Sequence, residues 1–195
     1  MVSLGHKRGQ GAHTAGEITI AMTSSDALTL YTIGHSDHTL EAFIELLRGA
    51  SALSCRISTL ADVRSRPYSR WVPQANRETL ARALEKAGIS YVFLGDVLGG
   101  RPEDPTLYPP GDTEGRPDYA HLAATSTFQA GLDRLIALAR SGVVVVMCSE
   151  GDYHHCHRAA LITPELLTRG VRVIHILPTG EMEEARIEPR QLHLF

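Results

Sequence analysis

The chemistry this chain could perform is concentrated in Val143–Arg158, VVVVMCSEGDYHHCHR. That stretch holds two thiols (Cys148, Cys156), two carboxylates (Glu150, Asp152), three imidazoles (His154, His155, His157) and a guanidinium, Arg158. The thiolate is the reactive form of cysteine. It is favoured at a helix start and beside arginine or histidine. Cys156 and His157 stand at or near the start of a helix-periodic stretch, AALITPELLTRG, where open N–H groups and the helix dipole favour negative charge. Cys156 is therefore a candidate nucleophile or redox centre. Cys148, at the end of the valine run, is the other candidate, and the sequence does not choose between them. Glu150 and Asp62 are the candidate acid/base carboxylates, able to activate water or take a proton from a sugar hydroxyl. Arg158, His157 and Arg64 are candidates to hold an anion. The Cys148–Arg158 spacing is longer than the compact loop of cysteine phosphatases, and its glycines are too few to cradle a phosphate by backbone alone, so that activity is not expected.

The same tract contains soft and borderline metal ligands. No second C-x-x-C or H-x-x-x-H pair accompanies them, as zinc sites normally show, so a metal is the less favoured alternative and no other cofactor is expected. A Cys148–Cys156 disulfide is a further option that only the Cα separation can test. The chain has three cysteines, Cys55 being the third. An odd, small number suits reduced thiols of the cytoplasm better than a disulfide scaffold.

Other candidates lie upstream and downstream. His35 and Ser36 could clamp a substrate, while Ser36 or Thr39 could equally cap a helix. Asp62 and Arg64 could instead form an internal salt bridge joining strand ends. In the loop Arg64–Trp71, RSRPYSRW, Arg64, Arg66 and Arg70 alternate with Tyr68 and Trp71, the mixture that meets phosphates and stacks bases; Tyr68 and Ser69 are counted as substrate-binding candidates. An aromatic there could also simply anchor the loop. His175 could face the site or be a satisfied core histidine.

Positioning these residues takes a sheet. The β-branched runs LTLYTI (28–33), ISTLADV (57–63), ISYVFL (89–94), the valine run and VRVIHIL (171–177) read as strands, and helical periodicity separates them. Helices are expected over TLEAFIELLRGA, from Asn76 to Lys86, and from Tyr119 to Arg140 with a break near Thr125–Thr127. Alternation of this kind implies an α/β fold: one domain, a mostly parallel five-stranded sheet of order 3-2-1-4-5, and helices on both faces in a Rossmann-like three-layer arrangement. Ligands in such folds sit beyond the carboxyl ends of the strands, where the polar motifs fall. The Gly- and Pro-rich stretch Leu98–Tyr119 would be a lid. Residues 1–27 are read as a flexible leader, 28–180 as the domain and 181–195 as a tail. A net charge of −3 gives no global basic field, and no run is long enough to span a bilayer.

With these residues placed, the chain resembles the domain of unknown function 488 family. The matching pieces are Thr32–Ser36, Asp62-Val63-Arg64 with Pro67 and Ser69, Leu94-Gly95 with Leu98-Gly99-Gly100, Cys148-x-Glu150, Cys156-His157-Arg158 and His175-Ile176. Tyr153, where the family often has proline, and Pro164 depart from its pattern. The resemblance implies an α/β fold with a shared pocket and no established activity.

The chain ends Gln191-Leu192-His193-Leu194-Phe195. This looks like the bacterial sliding-clamp binding peptide, with Gln191 for a polar pocket and Leu192, Leu194 and Phe195 for an apolar groove. The same residues could instead cover their own domain. The sequence thus supports an enzyme acting on a nucleotide, a nucleic-acid base or another phosphorylated small molecule, in the setting of nucleic-acid metabolism. The alternatives are a non-catalytic DNA-maintenance module docked to a clamp, and a thiol or metal sensor.

Overall fold

The structure, a computed structural model, describes residues 27–50, 56–112 and 115–186. The leader through residue 26, Cys55 and the terminal Gln191, Leu192, Leu194 and Phe195 lie outside the described residues.

Six strands form one sheet: β1 (Thr29–Gly34), β2 (Ile57–Asp62), β3 (Ser90–Phe93), β4 (Val143–Cys148), β5 (Arg172–Ile176) and β6 (Met182–Glu184). Their order is β3-β2-β4-β1-β5-β6. The first five run parallel, and β6 closes one edge antiparallel to β5. The parallel α/β architecture is the expected one, and β1 and β4 are neighbours as anticipated. The expected order 3-2-1-4-5 needs correcting: β4 lies between β2 and β1, and a sixth strand follows β5. The cause is the composition of β4. Val144 to Met147 are all fully buried, and a strand apolar on both faces is best shielded at the centre of a covered sheet.

Side chains alternate across β4, so the strand feeds two cores. Val145 and Met147 join Ile33, Phe43, Leu47, Leu60 and Leu84 on the face covered by α1 (Leu40–Ala50) and α2 (Arg77–Lys86). Val144, Val146 and Cys148 join Leu98, Phe128, Leu132 and Ile162 on the other face. That second face is covered by α3 (Gly95–Leu98), α4 (Tyr119–Ala124), α5 (Ser126–Ser141) and α6 (Thr163–Thr168). The alternation puts the Cys148 thiol on this second side.

Thr39 supplies the helix cap that sequence offered to Thr39 or Ser36: its hydroxyl accepts from the Ala42 N–H at 3.2 Å. The break between α4 and α5 falls at Thr125, which caps α5 by accepting from Phe128 N–H. Before α6 the backbone is wider than an α-helix. Arg158–Ile162 forms a π-turn, and Thr163 donates both its N–H and its hydroxyl to the Arg158 carbonyl. Pro164 explains this, since it has no N–H to donate and its ring crowds the preceding turn.

Candidate functional site

At the carboxyl ends of β2 and β4 lies a pocket of about 940 Å³. Its floor is the Cys148–His157 loop. The loop sits where it does because the turn after β1 is pinned to it: the N–H groups of His35 and Ser36 donate to the carbonyls of Cys148 and Ser149 at 3.0 and 2.9 Å. Gly34 completes the fit, since a Cβ there would collide with the Glu150 carbonyl. Ser36 itself turns with φ 48°.

Four side chains converge on the floor. The sulfurs of Cys148 and Cys156 are in contact, with Cα atoms 7.6 Å apart. The Cys148 thiol donates to Glu150 Oε2 at 3.2 Å. His157 Nδ1 lies 3.8 Å from Cys156 Sγ, and its other nitrogen, Nε2, is 3.1 Å from the Val63 carbonyl. A carbonyl can only accept, so Nε2 carries the hydrogen and the Nδ1 lone pair faces the sulfur. Burial lowers the His157 pKa below its ordinary value, against an opposing pull from Glu150. The neutral ring is therefore the resting form. The Arg158 N–H points at Cys156 Sγ from 3.5 Å, an arrangement that stabilises negative charge on sulfur.

The walls are cationic. Arg64, Arg66, Arg101 and Arg116 line them, and among the described residues Glu150 is the single carboxylate in the lining. Tyr108 and Tyr119 add aromatic surface. Arg66, Arg101 and Arg116 are exposed, and burial raises the Tyr119 pKa. Arg101, Arg116, Tyr108 and Tyr119 were not singled out from sequence. The only signal was their place in the long Gly/Pro loop.

The other candidates are distributed differently. Asp62 is fully buried. Its Oδ1 accepts from Arg64 N–H and Nε at 3.1 and 2.9 Å, and its Oδ2 from Arg64 Nη2 and the Tyr91 hydroxyl, both at 2.6 Å. Arg64 Nη2 also reaches the Ala75 carbonyl at 2.8 Å. The pair is the internal salt bridge that sequence offered as its alternative role. Burial and the adjacent Asp62 push the Tyr91 pKa up.

Arg158 is 1% exposed and not part of the pocket wall; its Nη2 donates to the Gly151 carbonyl, and Nε and Nη1 have no hydrogen-bond partner. His175 is buried away from the pocket. Its Nδ1 meets the Thr32 hydroxyl at 2.6 Å, and its ring stacks on Tyr153 with centroids 3.9 Å apart. Burial, reinforced by Arg158, brings its pKa down to about 4. His35 is buried too, its Nδ1–H donating to the Ser36 carbonyl at 2.7 Å. Ser69 staples its own loop: its hydroxyl accepts from the Trp71 and Val72 N–H groups, and its N–H donates to Asn76 Oδ1. Tyr68 and Trp71 are 76% and 79% exposed, and the Arg70 guanidinium lies 4.6 Å from the Trp71 ring centroid.

These elements, in this order, have a known counterpart. Residues 39–163 match the family described as "Domain of unknown function DUF488". The chain belongs to that family. No curated protein and no solved structure matches it. The structure gives the DUF488 glycine motif a physical reason: a Cβ on Gly100 would stand 2.6 Å from His157 Cβ and Cγ, so the residue is small because the imidazole packs against it. Among the described residues of this DUF488 chain no helix is long and apolar enough to cross a membrane.

Proposed function

We propose that this chain is an enzyme acting on a small phosphorylated, nucleotide-like anion, with Cys148, Cys156, Glu150 and His157 as its reaction centre. One observation carries the reading. The two thiols, the carboxylate and the imidazole meet on the floor of a pocket whose walls hold four arginines. Arginine is suited to phosphate and carboxylate recognition through its planar, multiply donating head. A volume of about 940 Å³ is within the range of small-molecule sites, and tyrosine faces beside arginines suit a ligand that carries a base as well as a phosphate. Glu150 is exposed to the pocket and serves as proton acceptor, and neutral His157 offers a second basic nitrogen at Nδ1. Asp62 and Arg158 act from behind, Asp62 by fixing Arg64 and Arg158 by favouring charge on Cys156.

The test is a ligand screen of the full chain with inorganic phosphate, nucleoside mono- and diphosphates and sugar phosphates, read by thermal shift and titration calorimetry. A phosphorylated ligand should raise the melting temperature, and Arg66→Ala or Arg101→Ala should weaken its binding about tenfold, the worth of a hydrogen bond to a charged group. Absence of any phosphate-dependent stabilisation, or full affinity in both arginine variants, would remove the basis for the reading.

A further inference from the structure

We propose that Cys148, Cys156 and His157 are the ligands of a thiophilic divalent cation, zinc by the chemistry of the set, held at the pocket floor with one coordination position open. The two sulfurs and one ring nitrogen of His157 all lie within 4.8 Å of one another. Around a tetrahedral zinc, a sulfur and a nitrogen ligand sit about 3.5 Å apart and two sulfurs about 3.8 Å, from the usual bond lengths. The Cys156 Sγ to His157 Nδ1 distance is already 3.8 Å. The Cα separation of 7.6 Å exceeds the ordinary disulfide span, and the two sulfurs, in contact here, would have to part by side-chain rotation to take an ion between them.

The surroundings fit a metal ligand set. A ligating histidine usually donates its second N–H to a carbonyl or carboxylate, which fixes the tautomer and aims the lone pair. His157 does this through Nε2–H to Val63, with Nδ1 directed at the sulfurs. Gly100 gives the ring its room. Charge completes the case. With both cysteines deprotonated, two thiolates would stand beside Glu150 at the floor, and a divalent cation would offset the charge of the two sulfurs. Three protein ligands and an open fourth position are also the pattern of a catalytic, as opposed to a structural, zinc site. Sequence spacing argued against a metal because it sought a second pair of ligands along the chain. A three-ligand site needs none.

The inference rests on the reading that these residues form one reaction centre, whose electrophile the ion would be, but its test does not need activity. The full chain, untagged and purified under reductant without chelator, is analysed for metal by plasma emission, then exchanged with Co²⁺. One equivalent of zinc is expected, and the cobalt form should show a thiolate-to-cobalt charge-transfer band with tetrahedral visible bands. Cys148→Ser, Cys156→Ser and His157→Ala should each lower zinc affinity at least tenfold in competition with a chromophoric chelator, whereas Arg101→Ala should bind zinc as the parent does. The cobalt spectrum of the unmutated chain reports the ligand types even if a variant fails to fold. Absence of stoichiometric metal in the reduced chain, or a cobalt spectrum without the thiolate band, would overturn the proposal. So would recovery of a stable Cys148–Cys156 disulfide that excludes zinc. If metal is absent yet inorganic phosphate still binds in an Arg101-dependent way, only the metal inference falls; if zinc binds but the arginine variants keep full phosphate affinity, only the enzyme reading falls.

Discussion

Two clusters of acids and arginines stand at the carboxyl end of this sheet, and they have opposite characters. In the first, Asp62, Arg64 and Tyr91 are tied together, and both carboxylate oxygens of fully buried Asp62 accept from two donors each. In the second, Glu150 and Arg66, Arg101 and Arg116 are exposed around the thiols. The residue types are nearly the same. What separates the two carboxylates is how many of their lone pairs the protein has already engaged. A carboxylate with every lone pair engaged holds a loop in place, whereas one that meets a pocket and a single thiol is available to a substrate.

The comparison is sharpest in a crossed experiment. Glu150→Gln should lower turnover of the ligand found by screening by about 10²–10⁴-fold, the usual worth of a general acid/base. Its unfolding free energy in urea should stay within about 0.5 kcal/mol of the parent, as for an exposed side chain. Asp62→Ala should do the reverse, costing about 3–5 kcal/mol of stability in urea unfolding, because it leaves the Arg64 guanidinium buried without its partner. If Asp62→Ala abolished turnover in a chain of undiminished stability, the two clusters would have been assigned the wrong way round. A smaller effect comes from the positioning of the imidazole. Gly100→Ala places a methyl group against the His157 ring. Displacing that ring should lower activity or metal affinity about 10–100-fold, the range seen when the support of a ligand is disturbed. Retained affinity with unchanged pH dependence would mean that the ring position does not matter.

The five parallel strands could be read from sequence because each is an apolar, β-branched run bounded by turn residues. Their order could not. Buried parallel strands look alike in composition, and which two of them flank β4 depends on packing across the whole sheet. The sixth strand is Met182-Glu183-Glu184, a short edge strand with two exposed acids and no β-branched residue, and it gives no periodic signal. The loop from Cys148 to Arg158 was identifiable because reactive residue types cluster right after a strand. Sequence could not say which of them face the pocket. Arg158 falls one residue past His157 at the π-turn and is carried into the interior beside Tyr153 and His175. Conversely, Arg101 and Arg116 reach the pocket only because the long loop folds back over it.

The same contrast separates two histidines of the chain, and it extends to pH. His157 keeps Nδ1 toward Cys156 Sγ, whereas His175 is packed between Thr32 and Tyr153 and does not line the pocket. The folded pKa of His175 is about 4, against 6.5 for the ordinary residue; burial and Arg158, with a smaller push from His154, outweigh the opposing attraction of Glu183. His35 is shifted in the same direction, also by burial. In each case the unfolded chain takes up the proton first. Their contribution to stability is therefore complete above pH 6.5 and declines as the pH falls from there toward the folded values. Between about pH 6.5 and 5 carboxylates remain largely ionised, so urea unfolding in that window isolates the histidines. Stability should fall steadily across it. His175→Gln, which keeps a polar partner for Thr32 but cannot be protonated, should show a shallower slope, with His35 contributing to the remainder. A variant slope equal to that of the parent would mean that His175 is already protonated in the folded chain, and the stack of Tyr153 on a neutral ring would have to be abandoned.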